Sequence, residues 1–250
     1  MENSNPKYTP IEKFNVDSNH GNKNEKFPYQ EVIGSLLYST VKTRIDITFA
    51  VNYASRFTSN PTSHDVANVK RTLAYLNAHP KCGIFYSADN TKSKEVHIVS
   101  YCDSDYAGNH TDSKSTTGYV LMYAGGPISW TSRKQSVVAQ ATAEAEYISG
   151  AHCCQELKYM KSFVEELLGV KPKITLYADN QSAIAMIKSG QLSRKSKHID
   201  VKYHFVNDEL QKGWFNIKHV KSQENLADIL TKPLCRRVFE NLKTVLMHTP

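Results

Sequence analysis

The run Val96-His97-Ile98-Val99-Ser100-Tyr101-Cys102-Asp103-Ser104-Asp105 constrains the fold more than any other part of the chain. Its β-branched and aromatic residues suit a central strand. Yet it ends on two acids, and ionised carboxylates beside a core need compensation. Three later segments also set a carboxylate among apolar residues: Ala143-Glu144-Ala145-Glu146-Tyr147, Leu176-Tyr177-Ala178-Asp179-Asn180 and Leu226-Ala227-Asp228-Ile229-Leu230. The expectation is that these four places converge on one metal site.

The surrounding pattern supplies a frame. Residues 1–26 are Asn-, Lys- and Ser-rich and read as a disordered leader. Residues 27–92 read as a small helical segment. Its helices are expected around Tyr29–Tyr38, from Ile45 to Phe57, and after an N-cap at Ser63, with Pro80 as a stop. From 93 to 250 the pattern becomes α/β. Strands are expected at Glu95–Asp103, Thr117–Tyr123 and Ile128–Ser132, with a turn at Gly125-Gly126-Pro127. A long helix over 138–168 follows, then strand 173–179, helix 181–188, helix 200–211 and strand 214–220. A helical turn at 226–230 and an amphipathic helix at 237–247 complete the order. Three meander strands followed by two strands each reached through a helix make a mixed five-stranded sheet flanked by helices. The last two strands should add parallel to the first.

The long helix allows a geometric test. Cys153, Leu157, Met160 and Val164 share a face with Glu146, so Glu146 is expected to aim at the sheet. Glu144 is turned about 200° away and is expected to face solvent. Asp103 and Asp179 end neighbouring strands, where open α/β sheets gather ligands. Asp105 lies on the Asp103 face one step further on, as a second ligand or a turn former. Asp228 sits in an apolar helical turn whose cap Ser222 or Asn225 can serve. Each acid alone is more often a cap, a turn or a solvated charge. Together they repel unless a cation neutralises them. Oxygen ligands without His or Cys suit Mg²⁺ or Mn²⁺. Two such ions would clamp the attacking and leaving oxygens of a phosphoryl displacement.

These residues fall into ordered motifs: Tyr101-Cys102-Asp103-Ser104-Asp105-Tyr106-Ala107-Gly108, Ser115-Thr116-Thr117-Gly118-Tyr119, Pro127-Ile128-Ser129-Trp130 and Glu144-Ala145-Glu146-Tyr147. Asp179-Asn180-Gln181-Ser182-Ala183, Lys197-His198-Ile199-Asp200 and Leu226-Ala227-Asp228-Ile229-Leu230-Thr231-Lys232-Pro233-Leu234 continue the series. In this order they resemble the ribonuclease H domain at the C-terminal end of copia-type retrotransposon Pol polyproteins. Residues 28–86, with Ile33-Gly34-Ser35-Leu36-Leu37-Tyr38 and Ser55-Arg56-Phe57, resemble the segment after the polymerase palm of the same polyproteins.

The resemblance implies a ribonuclease H-like fold and hydrolysis of the RNA strand of RNA–DNA hybrids. It implies Asp103, Glu146, Asp179 and Asp228 as catalytic and metal-binding acids, with two Mg²⁺ or Mn²⁺ ions. His219 is a candidate for helping product release, and the plainer reading is a surface histidine. Hybrid contacts are expected from Arg133, Lys134, Arg194, Lys195, Lys197 and His198, mainly to phosphates and 2′-hydroxyls. Tyr119, Tyr123 and Trp130 read as core. The polymerase part of a reverse transcriptase is a further expected partner. No Tyr-x-Asp-Asp polymerase motif occurs, so DNA synthesis is not expected.

The bulk numbers agree without deciding. A net charge of +7 favours a polyanionic partner. No apolar run is long enough to cross a membrane, and no small-molecule cofactor is implied. Five cysteines without a C-x-x-C pair or an N-terminal signal suggest reduced thiols and an intracellular setting. The alternative to a nuclease is a non-catalytic nucleic-acid-binding or interaction remnant of a truncated or host-adopted element. A related nuclease or integrase on the same fold shares the acids, but the ordered motifs argue against it.

Overall fold

The computed structural model describes residues 5–12, 27–87, 95–108, 112–190 and 200–248. The chain forms two units: residues 1–85 with 232–250, and residues 86–231. The sequence reading divides the chain at 92/93 and keeps 232–250 with the sheet, whereas the two units divide at 85/86 and 232–250 group with the helical unit.

That helical unit contains α1 (Tyr29–Lys42), α2 (Thr48–Ser55), α3 (Ser63–Ala78) and a C-terminal helix, Arg236–Leu246. The C-terminal helix buries Phe239, Leu242 and Leu246, three and four residues apart, which is the spacing of one helix face. Its Phe239 ring meets Tyr75 of α3 edge-on at 5.7 Å. This contact explains why the helix belongs here. The cap of α3 is Thr62, one residue before the Ser63 expected, because Thr62 and Asp65 bond reciprocally in a capping box. A short 3-10 turn, Ile45–Ile47, separates α1 from α2. There Arg44 pairs with the buried Asp46 at 2.8 Å, and Tyr75 donates to the same carboxylate at 2.6 Å. Residues 5–12 are not the loose leader expected of 1–26. Thr9, Pro10 and Ile11 are buried, Arg71 donates to Thr9, and Thr72 donates to the Pro10 carbonyl. A short apolar stretch in a polar leader has found a surface to cover.

The second unit is a five-stranded sheet in the order β3-β2-β1-β4-β5. Its strands are β1 (His97–Asp105), β2 (Thr116–Tyr123), β3 (Gly126–Lys134), β4 (Lys173–Ala178) and β5 (Phe215–His219). The first three pair antiparallel, and β4 and β5 add parallel to β1 and to β4. This is the mixed five-stranded sheet flanked by helices expected from the sequence. Helices α4 (Thr142–Leu168), α5 (Gln181–Ser189) and α6 (Asp200–Gln211) flank it, so the C-terminal helix is α7. The core between sheet and helices includes Ile98, Leu121, Leu157, Leu176 and Phe215. Tyr119 and Tyr123 pack against it, as expected. No helix among the described residues is long and apolar enough to cross a membrane.

Helix α4 begins four residues later than expected. Gln140 N–H donates to the Glu144 carboxylate at 2.7 Å, which places the acid over the helix start where its charge is favoured. This also corrects Glu144, which is buried rather than solvated. The sheet-facing stripe is as expected: Cys153 and Leu157 are fully buried, Val164 is buried and Met160 packs against the core. On α6, burial alone would push the Glu209 carboxyl up. Hydrogen bonds from Lys158, Lys212 and Trp214 outweigh it and hold Glu209 down at about 2.

Candidate metal centre

The site forms where the strand pattern ends. The β1 register places Asp103 opposite Gly118 of β2, and Asp103 is 1% exposed. Strand β4 runs parallel beside β1 and stops at Ala178, so Asp179 emerges at the same sheet end. Glu146 comes from the second turn of α4 and is 5% exposed. Carboxylate oxygens of Asp103, Glu146 and Asp179 lie within 4.8 Å of one another.

Burial first, then the carboxylates of Asp103 and Asp179, push the Glu146 carboxyl up to about 9. Its Oε1 accepts from Ser104 N–H at 3.3 Å, while its buried Oε2 has no hydrogen-bond partner among the described residues. Such an atom is costly unless something fills the space before it. Three carboxylates with a buried, unmatched oxygen fit a hard divalent cation. Asp103, Glu146 and Asp179 are the residues that would hold it.

The other expected site residues separate into groups. Asp228 is buried, in the 3-10 turn Leu226–Leu230, but it is not part of the three-acid group. Thr231 links it to the site: its hydroxyl donates to Asp103 Oδ2 and lies 3.2 Å from the Asp228 carbonyl. Asp105 lies outside the group and opens a turn, with Gly108 N–H reaching its carbonyl at 3.4 Å. His219 ends β5, exposed, with Nε2 3.2 Å from the Asp179 carbonyl. It stands beside the cluster as a surface group. Arg133 is exposed on β3, whereas Lys134 is paired with Asp112 at 2.8 Å. Arg194, Lys195, Lys197 and His198 lie outside the described residues.

Sequence reasoning offers Asn225 as a cap of the Asp228 turn, as observed, but misses the long-range bonds that aim these acids. Asn225, fully buried, donates to the Cys102 carbonyl at 2.9 Å and accepts from Ala227 N–H at 3.2 Å. It thereby ties the Asp228 turn to β1 across 123 positions of sequence. Ser149 of α4 reaches the Asp103 carbonyl at 2.7 Å and the Gly118 carbonyl at 3.1 Å. Gly118 gives room for the turn: a Cβ there would fall 2.6 Å from Thr231 Cγ2 and 2.9 Å from Leu230 Cβ. Polar residues inside apolar runs were the available signal, but nothing in their spacing says which strand they reach.

Thr231 positions Asp103 rather than touching a reacting atom. Thr231→Val keeps the volume and removes the donor. Divalent-ion affinity is expected to fall about 10- to 100-fold, as for other groups that orient ligands. Titration calorimetry with Mn²⁺ reads this; affinity restored by Thr231→Ser and not by Val is the expected pattern. Equal affinity in all three proteins would remove the positioning role.

No protein-family model matches the chain. It is 38% identical over 216 residues to the retrovirus-related Pol polyprotein from transposon RE1 of Arabidopsis thaliana, covering 85% of this chain and 14% of that protein. It is 37% identical over 226 residues to the Pol polyprotein from transposon TNT 1-94 of Nicotiana tabacum, covering 90% of this chain and 17% of that one. Both relatives are copia-type retrotransposon Pol polyproteins, and the chain is similar to a part of each. It spans less than a fifth of the length of these Pol relatives. Among solved structures, ribonuclease H1 from the archaeon Halobacterium salinarum aligns at 17% identity with a TM-score of 0.40, covering 54% of this chain and 94% of its own.

Proposed function

We propose that the chain is a divalent-metal-dependent hydrolase of the RNA strand in RNA–DNA hybrids, serving retrotransposon reverse transcription. The observation that carries this reading is the convergence of Asp103, Glu146 and Asp179 at one end of the sheet. Pol kinship and the ribonuclease H-like fold support the choice of substrate. Magnesium or manganese, when bound, supplies Lewis-acid stabilisation of phosphoryl charge and a more acidic water.

The chain's own residues set the geometry. Asp103 lies on β1 and Asp179 directly follows the adjacent parallel β4, so their separation is set largely by the sheet. Glu146 is fixed by α4, whose Ser149 bonds back to β1 and β2. Asp228, held by the Asn225 and Thr231 bonds, is proposed as the fourth acid at the rim of the site. His219, whose Nε2 lies 3.2 Å from the Asp179 carbonyl, is proposed to assist the departing product. Arg133 is proposed as a phosphate contact; Lys134 must leave Asp112 to act as one. The polymerase part of a Pol polyprotein is the proposed partner in cis.

A labelled RNA–DNA hybrid incubated with and without millimolar Mg²⁺ tests the reading. Cleavage confined to the RNA strand, and only with the ion, is expected. Cleavage that persists in chelator, or hybrid that binds and stays intact with the ion, would overturn it. The second outcome would favour the binding-remnant alternative.

A further inference from the structure

The formal charge is unevenly divided. The helical unit carries fourteen Lys and Arg against eight Asp and Glu, while the sheet unit carries seventeen against sixteen. Nearly all of the excess positive charge thus lies outside the unit that holds the metal centre. A polyanion attracted by the chain as a whole is attracted chiefly to the helices.

Within that unit the structure supplies a place for it. Two adjoining cavities, of about 390 and 620 Å³, open where the 5–12 segment runs over α3 and the start of α7. Both are lined by Lys7, Glu12 and Arg71; Tyr8 and Arg236 line the first and Lys70 the second. Arg71 is the fixed part. Its Nε donates to the Thr9 carbonyl at 3.1 Å and its Nη2 to Thr9 Oγ1 at 3.0 Å, so it pins one wall. Arg236 stacks over the Tyr8 ring, 3.4 Å from its centroid, and donates to Glu240. Flat guanidinium and aromatic faces of this kind suit phosphates and bases together. Two acids oppose these cations: Glu12 pairs with Arg71 at 2.6 Å with its side chain 70% exposed, and Glu240 pairs with Arg236 at 2.8 Å. Lys7, Lys70, Arg71 and Arg236 still outnumber them, so the cleft keeps a cationic surplus.

We propose that this cleft is a phosphate-backbone site, through which the helical unit grips nucleic acid independently of the metal centre. The choice of nucleic acid as the polyanion rests on the function proposed above; the cleft and its charge do not. Contact is to phosphates, so it is indifferent to sequence and sensitive to salt. Lys7, Lys70 and Arg236 are the residues that meet the strand, and Arg71 holds the wall.

The test uses the full chain in chelator, where hybrid stays uncut, and follows binding of a fluorescent hybrid as salt is raised. Lys7→Ala/Lys70→Ala/Arg236→Ala is expected to flatten the log-affinity against log-salt slope by about 2 to 3, near the loss of one counterion per contact. Affinity at moderate salt should drop at least about tenfold, with the unfolding midpoint unchanged. Should that variant unfold, Lys7→Gln/Lys70→Gln is expected to flatten the slope by about 2. In Mg²⁺, cleavage at saturating hybrid should stay at the wild-type rate while half-saturation rises. Unchanged slope and affinity in folded variants would overturn the proposal, as would binding of inorganic phosphate or an acidic peptide in the cleft without any change for hybrid. A wild-type chain that fails to cleave but binds hybrid through these three residues would count against hydrolysis and support the cleft.

Discussion

Asp103→Asn is expected to lower hydrolysis of hybrid RNA by about a thousandfold or more while the fold survives. Lewis-acid stabilisation of a phosphoryl transition state is worth several kcal/mol, and each ~1.4 kcal/mol is a factor of ten in rate. Asn is nearly isosteric with Asp. It can still take the Thr231 hydrogen bond at its carbonyl oxygen, so the turn that carries Asp228 should stay docked. What is lost is charge, and with it the cation. Asp179→Asn should behave alike, because Asp179 follows directly on β4, which pairs parallel beside the β1 strand that carries Asp103. Circular dichroism and thermal unfolding check the fold; single-turnover cleavage checks the rate. A folded Asp103→Asn protein that cleaves within tenfold of wild type would show that the acids are not the catalytic machinery.

The second large effect concerns stability without metal. A carboxyl whose folded pKa is raised keeps a proton that the unfolded chain has released. Between the ordinary 4.5 and the value of about 9 reached by Glu146, the folded state binds more protons than the unfolded one. Stability must then fall as pH rises through that window, by up to about 1.4 kcal/mol per pH unit. Glu209 has the opposite sign: its stabilisation is present above about 4.5 and is lost as pH falls toward 2. The two windows do not overlap, so a series from about pH 5.5 to about pH 8.5 isolates Glu146. In chelator the unfolding midpoint should drop across that series by several degrees more in wild type than in Glu146→Gln. Saturating Mg²⁺ should flatten the wild-type slope, since a bound cation favours the ionised form and stabilises the fold by mass action. The same pH slope in wild type and Glu146→Gln would contradict the account of the buried cluster.

How much of this the sequence disclosed depends on the distance over which each feature is set. The sheet was legible because alternation and β-branching are local, and because the order of strands and helices leaves few connections open. Glu146 was legible because helical geometry carries its direction from Cys153, Leu157 and Val164. Glu144 was not: turning it to solvent assumed that α4 starts near Val138, and the true start at Thr142 puts the acid over the helix end. Residues 232–250 were assigned by position in sequence, whereas Phe239 and its neighbours are claimed by Tyr75, more than 150 positions away. Thr9 to Ile11 looked like leader because three residues leave little periodic signal, and Arg71, which holds Thr9, is 62 positions distant. Asn225, Ser149 and Thr231 act through one or two long-range hydrogen bonds each, and no pattern along the chain encodes such partners.

The central claim is that Asp103, Glu146 and Asp179 make one cation site. Titration calorimetry of the chelator-treated protein with Mn²⁺ in two buffers of different ionisation heat tests it most directly. The account predicts saturable binding that releases close to one proton from Glu146 near neutral pH, and loss of both binding and proton release in Asp179→Asn. Binding of equal strength in that variant, or no saturable binding by wild type, would contradict it.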